Sequence, residues 1–446
     1  MKKYGKALQT PEAAEMEARR LAEKRDKQRE GLGAQDEKFF SNKKNVLRLI
    51  FFIIAVVVAV GSITYGVYLL IHKDPGWFTI EADTNEETPY YAAGITFNYA
   101  LEGSSTEIGV QMKEIKSIYQ SALNWNYKIL DAHNTYNGLE NIASINKKVG
   151  QDVEIGEELF DVLTYAATLS RDGAGYDVCG GVFNAIRDEI VYSEDPAARD
   201  PLFNSDYADL LKKLDSAAEA EKPATLTLDP KRMTARLDVS ADMRDFIDKY
   251  EIDAPVLDLG TLRTAFLLRA LAVEMKIHGY TRGYFTTDSG LTLLLPDVPD
   301  TEFCMYSRFD GDDGEESDVA VTRKSRSGSA CAAFRAFGFF DGEYGFYNVK
   351  NGDKTAFRNP YMDSFDNNTV FSVMVVDDDG DIVKAAARAL AIFNAESKED
   401  VHEFFDPIKP TIFFELTDAR GTVNGNTETD ITVNFPRVKK YTEFVG

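Results

Sequence analysis

The densest run of reactive side chains is Asp377-Asp378-Asp379-Gly380-Asp381, which leads directly into the Ala-rich segment Ile382 to Ala395. Carboxylates in that position offer two kinds of chemistry. Asp379 or Asp381 can cap the orphan N–H groups of a helix, or the turn can handle an anion or a hard cation through oxygen ligands. A second acidic run, Asp310-Gly311-Asp312-Asp313-Gly314-Glu315-Glu316, would attract calcium, but its spacing is not that of an EF-hand loop and it reads as a solvated surface loop. The 4 histidines show no metal-ligand spacing, so zinc is not expected. The 3 cysteines, Cys179, Cys304 and Cys331, are far apart and odd in number, which implies no disulfide framework. There is no P-loop, no glycine fingerprint of a dinucleotide fold, no G-x-S-x-G elbow and no H-E-x-x-H.

Any site must be positioned by the chain beyond Leu49 to Ile71, a stretch of 23 residues without a charge. At about 1.5 Å rise per residue it would span a hydrocarbon core of roughly 30 Å, so it reads as one transmembrane helix. Lys43, Lys44 and Arg48 precede it and only Lys73 comes closely after, which puts the N-terminus in the cytoplasm. The run is too long, and starts too late, for a cleaved signal peptide. Residues 1–48 carry 13 Lys and Arg against 8 Asp and Glu, whereas the whole chain has a net charge of −23. The portion beyond the anchor is therefore strongly acidic, which argues against a nucleic-acid partner. An extracytoplasmic domain without paired cysteines points to a bacterial protein.

Four parts are expected: a cytoplasmic charged helical segment at 1–48, the anchor at 49–71, a linker at 72–89 and the main domain at 90–446. Within 1–48, Thr10-Pro11 starts a helix that Gly31 stops. In the main domain a strand is expected over Ala92 to Leu101, then a long helix within Ile108 to Asn137. Ile142 to Asn146 leads into a further helix starting at Gly156 and running to Ser170. A helix near Tyr207 to Ala218 precedes a hairpin at Ala224 to Val239, and Leu257 to His278 reads as strand, turn and helix. Strands are expected from Gly283 and around Leu291 to Leu295, with a buried strand at Thr369 to Val376 and a helix at Ile382 to Ala395. Thr411 to Thr417 and Thr422 to Phe435 close the fold, with Asn424-Gly425 as their turn signal. The fold class is α+β, a mixed α/β arrangement with a partly antiparallel sheet.

Read as a series, several segments resemble the ApbE family, the FAD:protein FMN transferases. Asn146 stands upstream of Gly156-Glu157-Glu158-Leu159, and Tyr176-Asp177 looks like the family's phenylalanine-aspartate turn. Leu257-Asp258-Leu259-Gly260-Thr261-Leu262 is similar to the D-L-G-G-I turn, and Asp288-Ser289-Gly290 after His278-Gly279-Tyr280 stands where the family has Gly-Gly-Asp. Asn359-Pro360 stands in place of H-I-x-D-P-x-T-G, and Val375-Val376 with Lys384 to Asn394 matches the A-D-A-L-x-T-A-L helix in register. The resemblance covers roughly residues 90 to 400. It implies a T-fold-type domain that holds FAD, with magnesium on the pyrophosphate, and passes FMN to a Ser or Thr hydroxyl of a partner flavoprotein. It places Asp258, Gly260, Thr261, Ser289, Lys384 and Arg388 in the cofactor region.

The sequence also departs from that pattern. Lys384 and Arg388 occupy the positions of the metal-binding aspartate and threonine, and a cation cannot ligate magnesium. Ala356, Asn359, Met362 and Asp363 replace the histidine, aspartate, threonine and glycine of the H-I-x-D-P segment. Thr264 and Arg269 replace a lysine and an aspartate of the D-L-G-G-I segment. A shifted register would bring in Asp379 and Asp381 as metal carboxylates. Alternatively Lys384 and Arg388, at i and i+4 on one helix face, stand in for the dication at a pyrophosphate. Two readings remain open. One is a membrane-anchored flavin transferase; the other is a pseudoenzyme that binds a flavin nucleotide or serves as a scaffold in a membrane complex. Ser327-Gly328-Ser329-Ala330 is similar to the core of a flavin-acceptor motif but lacks its upstream aspartate and reads as a loop.

Overall fold

The computed structural model describes residues 76–84, 87–171, 177–220, 222–310, 316–340, 342–352, 354–366, 369–397, 400–401, 410–417, 422–426, 431–433 and 440–443, with isolated positions between 19 and 62. Tyr176, the loop 311–315 and most of residues 1–75 lie outside this set, and so does most of the proposed anchor. Phe51, Ile54, Val56 and Val58 of that stretch are described, as helical residues with exposed apolar side chains. No helix among the described residues is long and apolar enough to cross a membrane. The chain divides into two compact units, Met1–Asp74 with Ser105–Gly109, and Pro75–Ser104 with Val110–Gly446. The second unit holds every segment that carries the family resemblance.

Its first strands are β1 (Gly76–Glu81) and β2 (Ile95–Leu101), followed by helices α1 (Ser105–Leu130) and α2 (Ile142–Lys147), strand β3 (Val153–Glu154) and helices α3 (Glu157–Arg171), α4 (Gly181–Val191), α5 (Pro196–Arg199) and α6 (Ser205–Ala220). Next come β4 (Ala224–Asp229), β5 (Thr234–Val239), α7 (Ala241–Tyr250), α8 (Leu262–Ile277), β6 (Gly283–Thr287) and β7 (Leu291–Leu294). The remainder is β8 (Thr301–Asp310), β9 (Glu316–Ser325), β10 (Ala330–Arg335), β11 (Tyr347–Asn351), β12 (Lys354–Arg358), β13 (Val370–Asp377), α9 (Ile382–Phe393), β14 (Thr411–Leu416), β15 (Thr422–Gly425), β16 (Ile431–Val433) and β17 (Lys440–Glu443). Among the described residues the main sheet has nine strands in the order β1-β2-β6-β7-β10-β13-β14-β15-β17. It is antiparallel except for the β15–β17 pair. The mixed α+β class agrees with the sequence reading.

The centre of this unit is β13, every residue of which is buried. Its edges are used by β10 and β14, and α9 packs against both β13 and β10. Along α9 the buried residues Ala385, Ala386, Ala387 and Ala389 let the helix approach the sheet closely, while the half-buried Lys384 and Arg388 lie on its more open side. The hairpin β8–β9 packs on β13 as well, where Ser372 Oγ donates to Ser307 Oγ at 3.2 Å.

Several expectations need correction. Leu257 does not begin a strand. Residues 257–261 form a buried loop, because Asn146 takes both polar groups of Leu257: the Asn146 amide donates to its carbonyl at 2.8 Å and accepts from its N–H at 2.9 Å. The helix expected to reach Asn137 stops at Leu130. There the Asp131 carboxylate accepts the N–H groups of His133 and Asn134, which turns the chain. Asn424 and Gly425 are not a turn; they lie inside β15, opposite Phe414 and Phe413. The long hairpin β8–β9 and strand β10 had no counterpart in the sequence reading.

A fully buried ion pair joins the segment after α5 to the β11–β12 hairpin. Arg358 Nε donates to Asp200 Oδ2 at 2.8 Å, with side chains 1% and 0% exposed. Tyr347 OH donates to the same oxygen at 3.0 Å, the Leu202 N–H to Oδ1 at 2.9 Å, and Arg358 Nη1 to the Asp366 carbonyl at 3.0 Å. Removing one partner strands a charge in the interior. Asp200→Asn should therefore lower unfolding free energy by about 3–5 kcal/mol in urea titrations, with Asp200→Leu/Arg358→Met less damaged than Asp200→Asn.

Candidate functional site

Two neighbouring arrangements contain the residues singled out from the sequence. The first is the acidic turn between β13 and α9. Asp377 is 2% exposed, and its Oδ1 accepts the N–H groups of Asp379 at 3.0 Å and Asp381 at 3.2 Å. Its Oδ2 lies 3.4 Å from Lys384 Nζ. Gly380 has φ +82° and passes so close to the Gly328 carbonyl that a Cβ would sit 2.3 Å from it. Asp378 is gripped by both terminal nitrogens of Arg323 at 3.0 and 2.9 Å, and that guanidinium holds its carboxyl below the usual range. Ser329, from the loop before β10, donates to Asp378 Oδ1 at 3.4 Å.

Asp381 is the N-cap of α9, accepting the Lys384 N–H at 3.1 Å, and its other oxygen accepts the Tyr165 hydroxyl at 2.6 Å. The capping role read from the sequence is thus filled by Asp381. Asp379 is exposed at the tip of the turn. Arg388 is half-buried, one helical turn beyond Lys384.

The second arrangement is a cavity of about 290 Å³ lined by Asp177, Gly260, Thr261, Asp363, Leu390 and Asn394. Backbone hydrogen bonds bring its walls together. Asp177 Oδ1 accepts the Cys179 N–H at 2.9 Å and turns the chain into α4. The Gly181 N–H donates to Val256 O at 3.1 Å, and the Asp258 N–H to Val178 O at 2.9 Å. A Cβ on Gly181 would sit 2.2 Å from the Pro255 carbonyl, so this contact requires glycine. Gly260 has φ +52° and faces the Asn184 amide. With the Asn146 clamp on Leu257, three of the segments that carry the ApbE resemblance are thereby joined by hydrogen bonds.

The other wall is the segment after β12. Asn359 Oδ1 accepts the Tyr361 N–H at 2.9 Å, and Asn394 Nδ2 donates to the Tyr361 carbonyl at 3.0 Å. Asn359 Nδ2 and Asn394 Oδ1 are buried without a partner. Tyr361 OH donates to the Ser289 carbonyl at 3.3 Å, which connects the β6–β7 turn to this wall. Arg187, 6% exposed, donates to Met362 O at 3.1 Å and pairs with Asp188 at 2.9 Å.

Of the residues proposed from sequence, Gly260 and Thr261 line the cavity. Asp258 lies behind it through the backbone contact with Val178, and Ser289 reaches it only by way of Tyr361. Lys384, Arg388, Asp379 and Asp381 are not among its lining residues. Sequence reading did not find Arg187, Tyr165, Arg323 or Tyr361. Tyr361 carried the best signal, since it directly follows Asn359-Pro360.

No family model matches the chain, and no curated protein does. Solved structures similar to it include the following three. The ApbE protein from Thermotoga maritima is 11% identical with a TM-score of 0.49, covering 78% of this chain and 96% of that one. The flavin transferase ApbE from Vibrio cholerae is 14% identical with a TM-score of 0.47, covering 80% and 96%. The apo form of the Pseudomonas stutzeri flavinyl transferase ApbE is 12% identical with a TM-score of 0.47, covering 77% and 91%.

The residues present do not fit a magnesium-bound pyrophosphate. No group of three or more His, Cys, Asp or Glu able to hold a metal ion exists among the described residues. In the acidic turn, Asp377 and Asp378 are neutralised by Lys384 and Arg323, and Asp381 is committed to the helix cap and Tyr165. The cavity has carboxylates from Asp177, Asp215 and Asp363, and its guanidinium, Arg187, is already paired. Such a lining repels an anion.

Asp363 exposes part of its side chain at the rim, yet the protein packed around it pushes its carboxyl up to about 6, with Glu396 adding to the effect. Because the folded state then holds this proton more tightly than the unfolded chain, stability is full below about pH 4 and is lost as pH rises towards 6. Subtracting the urea midpoints of Asp363→Asn from those of the native sequence between pH 4 and 7 should reveal that decline. The variant should flatten it and gain relative stability at pH 7.

Proposed function

We propose that this chain is a membrane-anchored, extracytoplasmic ApbE-like protein that has abandoned metal-dependent FMN transfer and serves as a subunit of a membrane complex. The ApbE-like assignment rests on the order and spacing of the motif segments. It is supported by the hydrogen bonds that join Asn146, the Asp177 turn and the 257–261 loop beside one cavity. The anchor rests on the 23 uncharged residues from Leu49 to Ile71, and the orientation on the basic residues before them.

One observation carries the loss of transfer. Lys384, in the position of a metal-binding aspartate, directs its ammonium at the buried carboxylate of Asp377, 3.4 Å away. The dication that would neutralise developing phosphate charge is replaced by a cation already spent on the protein itself. The half-buried Arg388 favours a second reading. Here the chain binds a flavin nucleotide without passing it on, with Arg388 as the cation that meets phosphate.

The test uses the full chain in maltoside micelles with FAD, magnesium and a peptide containing Ser/Thr-Gly-Ala-Thr. The expected acceptor mass is unchanged; an FMN adduct would overturn the proposal. Flavin fluorescence from the same samples separates scaffold from binder. If FAD binds, Lys384→Glu/Arg388→Glu should weaken it by about tenfold, the equivalent of ~1.4 kcal/mol, and unchanged affinity would remove the second reading.

A further inference from the structure

An open groove of about 970 Å³ runs between α1, α3 and α8, and its lining is used neither by the cavity nor, apart from Asp381 and Tyr165, by the acidic turn. Ile118 and Val162, both half-buried, supply apolar surface within it above the buried Phe266. Trp125 and Val273 stand beside them with 49% and 48% of their surface exposed. Large apolar side chains left open along a trough mark an interaction surface.

Its charge is one-sided. Glu158, Asp161 and Glu274 line it with Asp381. Trp125 Nε1 donates to Glu158 Oε2 at 2.9 Å, which leaves the other carboxylate oxygen available. The opposing charge is Arg269, held over the Tyr165 ring at 5.2 Å from its centroid, and His278 lies 3.9 Å from Glu274. The occupant should therefore carry positive charge together with an apolar face. No strand contributes to the lining, so a peptide cannot add to a sheet edge here, whereas a trough between helices suits an amphipathic helix.

We propose that this groove docks a basic amphipathic helix of a partner protein. Its apolar stripe lies on Ile118, Trp125, Val162 and Val273, and its Lys or Arg side chains lie over Glu158, Asp161 and Glu274.

The chain has 2 tryptophans, Trp77 and Trp125, so Trp77→Phe makes Trp125 the sole indole reporter. The full chain with this change, in maltoside micelles, is titrated with a Leu/Lys peptide of helical periodicity and with a scrambled peptide of the same composition. Signals from empty micelles are subtracted. The amphipathic peptide should shift Trp125 emission to the blue and the scrambled one should not. Glu158→Gln/Asp161→Asn/Glu274→Gln, and separately Val273→Asp, should each weaken binding by about tenfold. Asp206→Asn/Asp209→Asn, exposed on α6 and outside the groove, should leave it unchanged. All three variants are surface changes, and their melting curves verify folding. Equal responses to the two peptides, or equal affinity in the groove variants, would overturn the proposal.

Discussion

The complete burial of β13 is the constraint on which most of this unit depends. A strand with neighbours on both edges and elements packed against it must still end somewhere, and this one ends on a carboxylate that is 2% exposed. An ionised group at that depth has to be compensated. Asp377 is compensated from within its own turn, by two backbone N–H groups and the Lys384 ammonium. Those bonds fix the direction in which the chain leaves the sheet, and hence the line of α9 across β13 and β10. Gly380 completes the turn, since its left-handed backbone and the adjacent Gly328 carbonyl leave no room for a side chain.

The same compensation connects fold to chemistry. Metal-assisted phosphoryl chemistry at this turn would need free oxygen ligands, and the first turns of the helix hold Lys384 and Arg388. Lys384 also neutralises a buried aspartate, so its replacement by a carboxylate would place two negative charges beside one another at the end of the most buried strand. The identity of residue 384 is thus coupled to the packing of the sheet, and a metal ligand at this position would first have to resolve that repulsion. Arg323 does the same for Asp378 from a strand of the overlying hairpin. A turn with four carboxylates thus serves chiefly to bind the protein to itself.

How far this was legible in the sequence depends on how local each cause is. The helix from Gly156 to Ser170, the hairpin at Ala224 to Val239 and the buried strand before Asp377 were readable, because periodicity and turn residues act over a few positions. Asp381 as a cap was readable for the same reason. Leu257 misled because buried apolar residues resemble a strand whether their backbone meets another strand or, as here, an asparagine 111 residues away. The pair Arg323–Asp378 spans 55 positions and Arg187–Met362 spans 175, so no local pattern announces either. The β8–β9 hairpin was legible but missed: Phe303, Met305 and Ser307 are buried in alternation with more exposed neighbours, the period-two pattern of a half-buried strand.

Charge completes the argument about partners. A chain with a net charge of −23 carries its carboxylates in two different ways. Asp377, Asp378 and Asp200 are internally paired, by Lys384, Arg323 and Arg358 respectively, and contribute little outward. Those along the α1–α3–α8 groove face solvent beside uncovered tryptophan and valine, with a single arginine opposite them. Internally paired carboxylates specify the fold; exposed ones beside apolar surface specify what can approach it. An acidic face of this kind favours a basic protein surface. It does so at a face built from helices, with no lining residue in common with the cavity beside the 257–261 loop.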